Sequence, residues 1–200
     1  MARVNYANRF NTNAFQFEVD AYPSISETFY AYVNAGISDN AGIFPEYRAG
    51  FSLYANLPWA LEAEAGFRLL GFDDETWIYT ASIGKYYKSF WFNLRTFLTP
   101  SNNSVSQSFS LMTRYYLGGA DDFLSIRIGT GLSPDNQTNN ILYNNGNQYR
   151  LKSNNISLGF RKTLWATNVV FIETGLENQE YRQGETGNQL TIGVGYLKRF

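Results

Sequence analysis

Along almost its whole length this chain alternates apolar with polar or small residues at a period of two, a pattern that only a β-strand with two dissimilar faces can use. The last segment shows it most cleanly: Leu190, Ile192, Val194, Tyr196 and Phe200 alternate with Thr191, Gly193, Gly195 and Arg199. Twelve such segments are expected: Arg3 to Phe10, Ala14 to Tyr22, Thr28 to Ile37, Glu46 to Asn56, Leu61 to Leu70, Thr76 to Lys85, Phe90 to Leu98, Val105 to Leu117, Phe123 to Leu132, Tyr149 to Lys162, Val169 to Asn178 and Gln189 to Phe200. Each is close to the ~9–11 residues that a tilted strand needs to cross a bilayer. No helical period or linker interrupts them, so one all-β domain over residues 1–200 is expected.

Two architectures share this alternation. A soluble sandwich gathers its apolar face inside, whereas a membrane barrel turns it outward to lipid. The polar face separates them. It carries Glu18, Asp20, Arg48, Glu62, Glu64, Arg68, Arg95, Arg114, Arg127, Arg161, Glu173 and Glu177, interleaved with Tyr30, Tyr32, Tyr54 and many glycines. A solvated sheet face has little use for glycine, while a crowded lumen uses arginine for fixed ion pairs and glycine to make room. Lysines instead sit near strand ends, at Lys85, Lys88, Lys152, Lys162 and Lys198, where an ammonium reaches water or headgroups. Aromatic residues make up 18% against 16% charged, an excess that suits interfacial girdles, and Trp59, Trp77 and Trp165 fall near expected rims. The expectation is a transmembrane antiparallel up-and-down β-barrel of about 12 strands in a bacterial outer membrane.

The connections agree. Tight turns fall at Pro23 to Ser26, Leu57 to Trp59, Tyr86 to Ser89, Gly118 to Asp121 and Thr163 to Thr167, and these read as periplasmic. Between them lie longer stretches at Ser38 to Phe44, Gly71 to Glu75, Thr99 to Ser104, the Asn-rich Ser133 to Asn147, and Gln179 to Gly187; only Asn11 to Asn13 is short. An even strand count then places both termini in the periplasm. The opening MARVNYANRF has no apolar signal core or small-residue cleavage site, so an export signal is expected upstream and the chain is expected to be a fragment.

Several chemistries lack their residues. A net charge of −1 argues against nucleic acid, and the absence of cysteine and histidine removes disulfides, thiol chemistry and any serine nucleophile that needs an imidazole. No catalytic residue, cofactor or metal is assigned. Glu62 and Glu64 are roughly 7 Å apart along one strand, a common spacing that with Arg68 nearby reads as structural rather than hydrolytic. The acidic groups Asp73, Asp74, Glu75 and Asp121, Asp122 read as solvated rather than cation-binding. The run from Gly129 to Asp135 leads to no helix and is a strand end, not a phosphate loop.

Phrases spread over the chain resemble the YaiO family of outer-membrane barrels: RVNYANRF (Arg3 to Phe10), FPEYRAGFSLYANLP (Phe44 to Pro58), IYTASIGKYY (Ile78 to Tyr87), RYYLGGADDFLSIRIGTGLSPD (Arg114 to Asp135) and the terminal GYLKRF. The resemblance implies an outer-membrane barrel, a further hairpin ahead of RVNYANRF, and relatives that carry an N-terminal helical-repeat or periplasmic module. It brings no catalytic residues.

Two roles are compatible with such a barrel, and a third, a hydrolytic enzyme, survives only through carboxylates such as Glu62 and Glu64. One is a narrow conduit for small polar solutes or a saccharide, lined by Arg48, Arg68, Arg95, Arg114, Arg127, Glu62, Glu64 and Glu173. The other is a non-conducting barrel that anchors or scaffolds a periplasmic or surface assembly. The closing strand, through Gly195, Tyr196 and Phe200, is the expected signal to the barrel-assembly machinery; outer-membrane lipid and a periplasmic helical-repeat module are the other expected partners.

Overall fold

The computed structural model describes residues 1–9, 12–41, 43–72, 74–101, 104–131, 153–165, 167–182 and 185–198. The chain forms β1 (Ala2–Arg9), β2 (Thr12–Ala21), β3 (Phe29–Ser38), β4 (Tyr47–Leu57), β5 (Leu61–Gly71), β6 (Glu75–Tyr87), β7 (Phe90–Ser101), β8 (Ser104–Tyr116), β9 (Phe123–Thr130), β10 (Ser153–Leu164), β11 (Asn168–Arg182) and β12 (Glu185–Lys198). They make one twelve-stranded antiparallel sheet in chain order. Among the described residues no helix is long and apolar enough to cross a membrane.

Several hairpins are tighter than the strand-end residues suggest. Only Lys88 and Ser89 separate β6 from β7, and a single 3-10 turn, Pro58–Ala60, separates β4 from β5. Two-residue hairpins favour backbone in the left-handed region. Trp59, Ala60, Lys88 and Trp165 adopt it, with φ of 62°, 56°, 53° and 50°. Trp59 and Trp165 leave their rings 83% and 85% exposed at these turns, the placement of an interfacial anchor.

The strands outrun expectation at the other set of connections. β6 and β8 have 13 residues, β12 has 14 and β11 has 15, more than the ~9–11 that a bilayer requires. The loops expected over Thr99 to Ser104 and Gln179 to Gly187 are therefore largely strand: β7 runs to Ser101, β11 to Arg182, and β12 starts at Glu185. A ladder gains a backbone hydrogen bond with each added pair, so polar residues stay extended beyond the apolar part, and a register shift between Glu180 and Arg182 accommodates the turn. Strand β10 is described from Ser153 and continues to Leu164, past the expected end at Lys162. The Asn-rich Ser133 to Asn147 lies outside the described residues.

Contacts divide the described chain into two compact units, residues 1–82 with 96–107, and residues 83–95 with 108–131 and 153–198. In each, register separates an apolar from a polar face. In the first unit Val4, Phe17, Ile37 and Tyr47 stand side by side on β1 to β4, while the next row back places Arg3, Glu18, Gly36 and Arg48 together. Burial is inverted relative to a soluble protein. Phe17 is 49% exposed, whereas Glu18 and Asp20 are 2% and 3% exposed. Apolar side chains that solvent would reject are left outward, and carboxylates are enclosed.

The apolar face of the second unit ends within one register step. Leu111, Ile128, Ile156, Leu176 and Leu190 form one unbroken row across β8 to β12. The adjacent row reads Phe109, Thr130, Asn154, Asn178 and Asn188. Toward the opposite end come Tyr115, Leu124, Phe160, Ile172 and Val194, then Lys162, Val170 and Tyr196. From Leu190 to Tyr196 the band covers ~20 Å along the strand, near the ~25 Å apolar height of outer-membrane barrels. Placing a cation within this band is expected to destabilise by about 2–4 kcal/mol for Ile126→Arg but only ~0–1 kcal/mol for Thr130→Arg at its edge. Denaturant titration of the chain folded into lipid vesicles measures the difference, and equal losses at the two positions would contradict the assignment of the band.

Candidate functional site

The polar face of the first unit is a connected lattice of charge. The Glu18 carboxylate lies 2.7 Å from Arg48 Nη1 and 3.3 Å from Arg3 Nη2, and accepts a hydrogen bond from Asn5. Asp20 accepts from Arg3 at 2.7 Å, from Asn34 at 2.7 Å and from the Tyr32 hydroxyl at 2.9 Å. Enclosed carboxylates remain ionised only with such partners, since desolvation of an unpaired one costs several kcal/mol. Glycine supplies the space. A side chain at Gly36 would meet Arg48 and Glu18 at 3.0 Å, and one at Gly50 would meet Arg68 at 2.7 Å.

Arg68 completes the lattice. Its guanidinium donates to Ser52 Oγ at 3.0 Å and to the carbonyls of Phe51 and Phe67, stands 4.6 Å from the Tyr32 ring centroid, and lies 3.8 Å from Glu64. Glu64 also accepts from Ser82, and Glu62 accepts from Tyr30, whose ring stacks on Tyr54. Both carboxylates of the candidate acid pair are thus held by neighbours. Beyond them the face turns apolar: Leu70, Phe72 and Ile78 pack with Phe97, a cluster that a uniformly polar face would not contain.

The second unit treats its arginines differently. Arg114 is sandwiched by aromatic rings, 4.8 Å from the Trp91 centroid and 4.7 Å from that of Phe123, and a ring face attracts a desolvated cation. Arg161 pairs with Asp121 at 3.0 Å and Lys162 with Asp122 at 2.5 Å, so both acids of the β8–β9 connection are tied to β10. Asp73, of the other acidic group, lies outside the described residues. Arg127 sits two residues along from Arg114 by register, since Met112 faces Arg127 and Ser125 faces Arg114. The three arginines Arg95, Arg114 and Arg127 occupy successive strands β7, β8 and β9.

Arg127 and Glu173 are exposed on the polar face and, among the described residues, have no hydrogen-bond or ionic partner. Around them the register sets Ser125, Ser157, Gly159 and Gly175, which project little. The eight expected lining residues therefore fall in two groups: Arg48, Arg68, Glu62 and Glu64 in the ionic lattice of the first unit, and Arg95, Arg114, Arg127 and Glu173 on the second unit's polar face.

The closing strand has packing reasons of its own. Gly195 faces Phe171, whose ring occupies the space a side chain there would fill, and the Tyr196 hydroxyl donates to Asn168 at 2.5 Å. Phe200 lies outside the described residues. Arg3, Asn5 and Asn34 were not picked out by sequence; counting antiparallel register back from the β1–β2 and β2–β3 hairpins would have placed them beside Glu18 and Asp20.

A comparison with protein-family models matches residues 1–136 to the YaiO membrane beta barrel domain. Neither a curated protein nor a solved structure matches the chain.

Two outcomes test the lattice. Asp20→Ala is expected to destabilise by roughly 3 kcal/mol, because Arg3, Tyr32 and Asn34 lose their shared acceptor, and a loss under about 1 kcal/mol in a urea titration would show the contacts to be incidental. The Asp122 pKa is lowered from 3.8 to about 2 by the Lys162 hydrogen bond, with the Thr163 backbone N–H adding to it. A depressed carboxylate contributes its stability above the unfolded value of 3.8 and loses it as pH falls toward about 2. Thermal unfolding should therefore separate wild type from Asp122→Asn at pH 5, with the two curves converging toward pH 2.

Proposed function

Since the chain belongs to the YaiO family of membrane β-barrels, we propose that this outer-membrane barrel is a narrow conduit for small polar solutes or a saccharide, with the wall of β9 to β11 as the surface they contact. The observation that carries this reading is the state of Arg127 and Glu173, exposed opposite charges with no hydrogen-bond or ionic partner among the described residues, beside serines and glycines. Elsewhere the lattice has already neutralised its charges. An unpaired cation and anion on a recessed wall can hydrogen-bond a passing hydroxylated or zwitterionic solute, while small neighbours leave it room.

The reading includes no catalytic step. Glu62 and Glu64 are held by Tyr30, Ser82 and Arg68, so neither is assigned a proton transfer to a substrate. Both termini are assigned to the periplasm, where an upstream helical-repeat module would sit. The barrel-assembly machinery would engage the closing strand β12 (Glu185–Lys198).

A second reading, a non-conducting anchor or scaffold, draws on the ionic lattice of the first unit, which stiffens a wall without requiring a path. Planar-bilayer recording separates the two. The conduit reading expects stepwise conductance from the wild-type chain and a change of about twofold or more in cation-over-anion permeability in Arg127→Ala and Glu173→Ala, in opposite directions. Absence of steps in wild type, or variants indistinguishable from it, would leave the scaffold.

A further inference from the structure

Charge on the polar face of the second unit changes sign across β10. Register carries Arg127 on β9 through Ser157 to Gly175 on β11, and carries Glu173 on β11 back through Gly159 to Ser125 on β9. The two charged residues therefore stand on neighbouring rows with β10 between them. Both are exposed, and neither has a hydrogen-bond or ionic partner among the described residues. Arg114 on β8 adds a second cation on one side, and Glu177 on β11 a second acid on the other. The glycines between them are open. A side chain at Gly36 or Gly50 of the first unit would run into Arg48 or Arg68, whereas the atom nearest an added Cβ is Ser157 Cβ at 3.5 Å for Gly175 and the Glu173 carbonyl oxygen at 4.0 Å for Gly193. Glycine in the first unit makes room for arginine; here it leaves a gap beside two opposite charges.

We propose that this gap binds a zwitterion of dipeptide length, its carboxylate on Arg127 and its ammonium on Glu173; the site rests on the conduit reading for its access to solute. Sign and spacing carry the choice. Two strand spacings across and two residues along put the Cα positions of Arg127 and Glu173 ~12 Å apart, and side chains on a strand stand roughly perpendicular to the sheet. A charge-assisted hydrogen bond of ~2.8 Å at each end leaves ~6 Å for the ligand. Two extended residues span ~7 Å and one residue about half of that. A neutral saccharide offers hydroxyls to both groups but neutralises neither, and a lone anion or cation answers one and leaves the other. Ser125 and Ser157 lie on the two rows between the charges, where a hydroxyl that both donates and accepts suits the peptide group of such a ligand.

Saturation-transfer NMR titration of the whole chain in neutral detergent micelles tests this, with glycylglycine as the probe. It is expected to bind saturably and about fivefold or more tightly than glycine or the neutral disaccharide sucrose. Each end of the ligand should answer to its own partner. Arg127→Gln is expected to weaken glycylglycine about tenfold, the loss of one hydrogen bond to a charged group, and to leave glycylglycine amide, which has no carboxylate, unchanged. Glu173→Gln should weaken glycylglycine by a similar factor and leave N-acetyl-glycylglycine, which has no ammonium, unchanged. Heat-dependent electrophoretic migration checks the fold of each variant. If one fails that check, the wild-type chain alone carries the test, since both capped peptides should bind it about tenfold more weakly than glycylglycine. The site is overturned by glycine or sucrose bound as tightly as glycylglycine, by capped peptides bound as tightly as the free one, or by Arg127→Gln and Glu173→Gln weakening every probe alike. Planar-bilayer recording keeps this site and the conduit apart: end-matched binding in a chain without conductance steps supports the site and removes the conduit, whereas steps without end-matched binding overturn the site and leave the conduit.

Discussion

The enclosure of ionised carboxylates by guanidinium groups is the contact on which the remainder depends. Glu18 lies between Arg3 and Arg48, and Asp20 gathers Arg3, Asn34 and Tyr32 around it. Taken singly these groups would resist leaving water; taken together each desolvation is offset by a short, charge-assisted bond. Only then can the strands turn their polar side away from solvent and leave Phe17, Ile126 or Ile192 outward, the last at 69% exposure. Glycine at positions 36 and 50 serves the same end, because side chains there would occupy the volume the guanidinium groups use.

The two walls solve the problem of inward charge in different ways. In the first unit the solution is ionic, and it consumes the groups it uses. In the second, Arg114 lies near two aromatic rings and the acids of the β8–β9 connection tie down Arg161 and Lys162, while Arg127 and Glu173 have no ionic partner among the described residues. A lattice of paired charges gives rigidity. An exposed cation and anion on one face can hydrogen-bond a polar ligand.

The apolar band also has distinct edges, and each edge has its own chemistry. Amides follow the last aliphatic row on β10 to β12, whereas the other edge carries Tyr196, Lys162 and the exposed ring of Trp165. Tryptophan in a left-handed turn is an unfavourable choice for the backbone alone. At Trp59 and Trp165 the gain from seating an amphipathic ring at the interface offsets that cost.

How much of this was legible beforehand follows from which information is local. A period of two is carried by each stretch of chain in isolation, so the sequence by itself determined the strands, the membership of Arg48, Arg68, Arg127 and Glu173 in one polar face, and the outward set of apolar residues. Shared phrases along the chain pointed to the family. Tertiary structure alone decided partners and extent. Asp20 meets Asn34 and Asp122 meets Lys162 through register between separate strands, Phe171 covers Gly195 across a rung, and β11 runs on to Arg182 because its ladder continues. Which charges remain free, and where an aliphatic row ends against a row of amides, depends on the alignment of several strands at once, and alternation within one strand carries no record of that alignment.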